Sequence, residues 1–108
     1  INMEKTLVNT DANGASKNVK DIQFWGNGDT FKLISKASSQ NEGWMKSTKA
    51  MEIAGLGCVV QVTTQQKNAD LSYAIAEAVT FVPHCRVHEI TNEEGTVIER
   101  KLEMLPIN

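Results

Sequence analysis

The chain has 108 residues, a net charge of −2 and 41% hydrophobic content, which describes one domain spanning residues 1–108, large enough to bury a core without metal or disulfide staples. The composition is globular rather than disordered, no apolar run reaches the roughly 20 residues of a membrane-spanning helix, and the slightly acidic balance argues against general nucleic-acid binding.

In chain order, Met3–Asn9 reads as a short first strand, and Thr10–Ser16 as a turn-rich connection. Val19–Trp25 is expected as a second strand with Ile22 and Phe24 on one face. Gly26-Asn27-Gly28-Asp29 is the strongest turn signal, because glycine and asparagine tolerate the positive φ of tight hairpins. Phe31–Ser35 returns from it, so residues 19–36 are predicted to form a hairpin. Ser38–Gly43 is a polar loop. Trp44–Ile53 fits a strand with a bend near Ser47, although Ser47 or Thr48 would also cap a short helical turn; the strand reading is favoured. Gly55 and Gly57 end it.

Cys58–Gln65 alternates cleanly. Cys58, Val60, Val62 and Thr64 point to one side, and Val59, Gln61, Thr63 and Gln65 to the other, on a backbone stiffened by β-branched residues. Gln66–Asp70 is a turn. Ser72–Val82 is Ala-rich, which favours helix by propensity, yet it runs through Val79-Thr80-Phe81-Val82 into Pro83; it is read as mostly strand with a helical start. Arg86–Thr91 and Thr96–Met104 flank Asn92-Glu93-Glu94-Gly95 as a third hairpin, with Ile98, Leu102 and Met104 as one face. Successive hairpins predict a mainly β fold, an antiparallel sheet arranged as a small sandwich or open barrel, with little helix.

The chemistry-bearing residues do not converge. His84 and His88 share one face of the expected strand but stand roughly 13 Å apart, too far for both to hold one zinc ion, and Arg86 lies between them. No metal ligand set, catalytic residue or cofactor motif is assigned; the Gly26–Asp29 run lacks the Gly-Lys-Ser/Thr ending of a phosphate loop. Cys58 and Cys85 read as reduced core thiols, as a disulfide or as a reactive thiol, with the core reading favoured. Glu77 lies among apolar neighbours and needs a partner if buried, so Glu77 and the amide of Gln61 mark a polar or paired interior site. Trp44, Lys46, Ser47, Thr48 and Lys49 combine an aromatic platform, charge and hydroxyls on an expected exposed bend. They are the candidate contact residues, suited to a protein partner or, by base stacking and phosphate neutralisation, to a small nucleotide. Charge is uneven, with six lysines against three acids from Lys17 to Lys49 and seven acids against three bases from Asp70 onward. This polarity fits faces meeting within one fold or between the subunits of a homo-oligomer.

Trp25-Gly26-Asn27-Gly28-Asp29-Thr30-Phe31, the run Gly43–Glu52 and the run Val60–Gln65 resemble small accessory proteins of tailed bacteriophages, over much of residues 19–83. The resemblance implies a viral protein made in a bacterial host, located in the host cytoplasm or the virion, and acting as a virion component or an inhibitor of a host system. It brings no catalytic residue with it. The expected function is therefore non-enzymatic binding of a host or viral partner, with a nucleotide-sequestering protein and a virion structural subunit as alternatives.

Overall fold

The computed structural model describes residues 19–106. Its elements are six strands: β1 (Lys32–Ser39), β2 (Trp44–Ile53), β3 (Gly57–Lys67), β4 (Tyr73–Pro83), β5 (Cys85–Thr91) and β6 (Val97–Met104). The first four form one antiparallel sheet in the order β1-β2-β3-β4, and β5 and β6 form a separate two-stranded sheet. The fold is all-β and does not close into a barrel. No helix among the described residues is long and apolar enough to cross a membrane.

Several sequence readings differ from the structure. Val19–Trp25 forms no strand. The turn signal behind it is real, since Gly28 N–H donates to the Trp25 carbonyl at 3.2 Å and Asp29 Oδ1 accepts from Phe31 N–H at 3.2 Å. Ile22 and Phe24 alone offer too little apolar surface to hold an added edge strand, and Phe24 and Trp25 remain 47% and 94% exposed. The bend at Ser47 is also absent: β2 pairs with β3 without interruption from Trp44↔Gln66 to Ile53↔Gly57. The irregularity lies in the neighbouring strand, where β1 shifts register between Leu33 and Ser35. Ser38 and Ser39 belong to β1 rather than to the loop, and Tyr73–Pro83 is strand from its first residue. In β4 the pairing to β3, residue for residue from Gly57↔Pro83 to Lys67↔Tyr73, outweighs the helical propensity of its alanines. The expected strand Met3–Asn9 and the turn that follows it lie outside the described residues.

Because the β2–β3 and β3–β4 registers preserve parity, Ala50, Cys58, Val60 and Val82 share one face of the sheet. Ala50, Cys58, Val60 and Cys85 form the buried cluster, with Ile34, Val82 and Val87 packed against it. The β5–β6 hairpin supplies the lid, β5 lying against β2 and β3 and β6 against β1. Polar ties fix its seat. Val87 N–H donates to Glu52 Oε1 at 2.8 Å, and Arg100 Nη1 donates to the Leu33 carbonyl at 3.2 Å. Within the hairpin, Arg86 Nη2 meets Glu103 Oε1 at 2.6 Å and Arg100 Nε meets Glu89 Oε2 at 2.7 Å. The chain passes from sheet to lid through His84, whose φ is +57°. Its N–H donates to the Leu56 carbonyl, and its own carbonyl accepts from Leu105 N–H, both at 2.8 Å.

Candidate functional site

The lid covers only one end of the sheet face. At the other end the same face stays open, and β2 places Trp44, Lys46 and Thr48 on it by alternation. Their cross-strand neighbours are Gln66, Thr64 and Val62 on β3, and Ser39, Ala37 and Ser35 on β1. Beside these side chains lies a shallow depression of about 310 Å³ whose lining includes Lys36, Lys46, Ser47, Thr48, Val62 and Thr64. The Lys46 ammonium stands 5.7 Å from the centroid of the Trp44 ring, within the range of cation–π attraction. Trp44 Nε1 donates to Glu42 Oε1 at 3.3 Å, which fixes the ring at the rim. The arrangement offers one cation, one aromatic plane and several hydroxyls, a recognition surface rather than a reacting centre.

Of the five predicted contact residues, Lys46, Ser47 and Thr48 line this depression, Trp44 stands beside it through Lys46, and Lys49 is not among the lining residues. The unbroken pairing of β2 turns the side chains of Ser47 and Lys49 toward the opposite face of the strand. Ser47 is 3% exposed, and its Oγ is buried without a hydrogen-bond partner among the described residues. With no bend, alternation separates Ser47 and Lys49 from Trp44, Lys46 and Thr48. Gln61 also lies on that second face, between Lys49 on β2 and Val79 on β4, and is half-buried. Glu77 is not interior. It is exposed on β4, and its Oε1 accepts from Thr63 Oγ1 at 3.5 Å. Its apolar sequence neighbours are themselves exposed, which the pattern along one strand could not reveal.

The remaining candidates also take definite places. His84 sits in the turn between β4 and β5, not in a strand, so it does not share a strand face with His88. His88 Nδ1 lies 3.7 Å from Glu103 Oε2. Among the described residues no three His, Cys, Asp or Glu side chains come together as a metal site. Cys58 and Cys85 are free and buried. Burial pushes the Cys58 thiol up to about 12, reinforced by a hydrogen bond with Cys85 and by the nearby charge of Glu52. A thiol held protonated in this way is a poor nucleophile.

The sequence matches the model of the Lockin family over residues 3–99. The chain belongs to the Lockin family. That match takes in the whole four-stranded sheet, β5 and the start of β6. No curated protein and no solved structure matches the chain.

In this Lockin-family chain, sequence reasoning overlooked one group of residues, the exposed apolar side chains of β4. Ile75, Val79 and Phe81 are 59%, 60% and 48% exposed, and alternation puts them on one face with Glu77 between. Leu71, Ile98 and Met104 are still more open, at 71%, 63% and 72%, and Leu56 matches Val79 at 60%. The signal was present in the alternation of Ser72–Val82, where alanine fills one side and bulkier groups the other. What it lacked was the knowledge that β4 stands at an edge.

Proposed function

We propose that this Lockin-family chain is a non-enzymatic interaction protein, working through exposed strand surfaces as an accessory protein of a tailed bacteriophage in its bacterial host. The observation that carries this reading is an imbalance of apolar surface. Among the described residues, five apolar residues are buried, Met45, Ala50, Cys58, Val60 and Cys85, whereas twelve large hydrophobic side chains remain at least 36% exposed. Scattered exposed apolar groups are ordinary, but a set larger than the core itself suits a chain that completes its packing against partners. The open half of the sheet, with Trp44 and Lys46, is the contact surface for a protein partner. The phage attribution rests on the resemblance of residues 19–83.

Affinity capture from infected host cells tests it. The double variant Trp44→Ala/Lys46→Ala should lose its bound partner while circular dichroism and melting stay those of the parent chain. Equal capture by a folded double variant would remove the assignment.

A second reading, a small-nucleotide binder, is favoured by the Lys46–Trp44 pair above the depression, where the ring would stack on a base and the ammonium meet phosphate. A nucleotide at about 100 times its Kd stabilises by about 2.7 kcal/mol, so a thermal-shift panel should show a rise of about 10 °C or more. A panel without a shift would discard this reading. A virion subunit would instead be seen as a ring or larger assembly in light scattering.

A further inference from the structure

The two outer edges of the four-stranded sheet differ. The β1 edge carries Lys32 and Lys36 and a register irregularity at Ile34, the devices by which strands discourage pairing. The β4 edge carries no lysine and no register irregularity. It is eleven residues long, Tyr-Ala-Ile-Ala-Glu-Ala-Val-Thr-Phe-Val-Pro, pairs with β3 without a break, and has one charged residue, Glu77, and one proline, at its last position. A long, straight edge of this kind is a template for another strand.

We infer that the β4 edge pairs antiparallel with the β4 edge of a second copy, about a two-fold axis through Ala78. This rests on the interaction reading above and names one partner for it. The strand is self-complementary about its midpoint. Ala78 is the central residue of Tyr73–Pro83, so pairing centred there overlaps all eleven residues. An axis perpendicular to the sheet keeps each face continuous, and partners then have the same parity, as antiparallel pairing requires. Ile75 falls opposite Phe81 of the second copy, an aromatic and β-branched pair of the favourable kind, and this pair occurs twice. Glu77 falls opposite Val79 and never opposite itself; a centre at Glu77 would set the two carboxylates face to face.

The edge is about 37 Å long in a sheet about 10 Å deep, so it covers about 370 Å² on each copy. The mutual covering of Ile75, Val79 and Phe81 raises the total towards the roughly 1,000 Å² that a specific interface needs. The product is a continuous eight-stranded sheet with both lids on the same face.

Ala78→Cys tests the axis. The self-opposed residues stand about 4.5–5.5 Å apart between Cα atoms, within disulfide range. Residues 76 of the two copies lie about 14 Å apart, beyond it. Wild-type protein should size at twice the 11.9 kDa chain mass. Mild oxidation should link Ala78→Cys into a covalent dimer and leave Ala76→Cys unlinked. Ala78→Glu, an exposed substitution that sets two charges directly opposite, should weaken dimerisation about ten-fold or more while the chain stays folded. A monomeric wild type, equal linking at positions 76 and 78, or a folded Ala78→Glu that dimerises normally would overturn the inference. The result is separable from the partner test, because Trp44 and Lys46 lie two strands from this edge: loss of the dimer with partner capture intact removes only the β4 pairing.

Discussion

Gly57→Ala should be among the most damaging single-methyl additions in this protein. Gly57 opens β3 opposite Pro83 at the end of β4. A Cβ built there would overlap the Val82 carbonyl oxygen and stand 2.9 Å from Pro83 Cα and 3.1 Å from Phe81 Cζ. Two of these three atoms are backbone, so relief requires β4 to move away from β3 at the point where the chain turns into the lid. Overpacking of this sort costs about 1–3 kcal/mol. The φ of +157° adds strain of about 1–3 kcal/mol for a residue with a side chain. The sum is about 4 kcal/mol. Gly55, two residues earlier, is the internal control: its φ is +79°, and an added Cβ meets nothing within 4 Å, so Gly55→Ala costs about 1.5 kcal/mol. In a chain of this size the gap of about 2.5 kcal/mol should separate the two melting temperatures by about 10–20 °C, and urea midpoints should follow the same order. Melting temperatures within about 3 °C of each other would refute the close approach of β3 and β4 at this position.

Three further outcomes are expected. Leu71 has φ +71° and is 71% exposed, so Leu71→Gly relieves backbone strain and should stabilise by about 0.5 kcal/mol after glycine's added chain entropy, whereas Leu71→Ala should not; urea melts decide. Cys58 ionises near 9.0 when free and near 12 in the fold, so its contribution to stability is complete below pH 9 and declines as pH rises from 9 to 12; Cys58→Ala should flatten that alkaline decline, measured by urea midpoints across the range. The hydrogen bond from Arg86, helped by the charge of His88, holds Glu103 below the usual carboxylate range, so its contribution is present above that range and lost as pH falls through the lowered value; carboxyl NMR should show Glu103 titrating at higher pH in Arg86→Ala than in the parent, and an unchanged titration would break the assigned pairing.

Strands were legible wherever side-chain alternation coincided with a partner close in sequence. Cys58–Gln65, Ser72–Val82 and the hairpin around Asn92–Gly95 fall in this group, because each has its turn and its partner within a few residues. Val19–Trp25 did not, because alternation over Ile22 and Phe24 describes a strand only if a neighbour accepts it, and β1 instead pairs with β2. The five-residue candidate patch was half legible. Lys46, Ser47 and Thr48 do border one depression, but the expected bend in β2 is absent, and sequence alone could not tell that the irregularity would fall at Ile34 across the ladder. The exposure of Glu77 and its neighbours was hidden for a related reason: periodicity reports which side chains lie together and not whether anything lies over them.

The extra residue at Ile34 has an effect on β1 beyond irregularity. Lys32 is matched with Ala50 and Lys36 with Ser47, positions of opposite parity on an unbroken strand. Strict alternation would have stacked the two lysines on one side; the added residue inverts the phase between them and sends one ammonium above the sheet and the other below. The border strand therefore carries a lysine toward each surface of the sheet, a distribution that an unbroken strand with the same spacing could not provide.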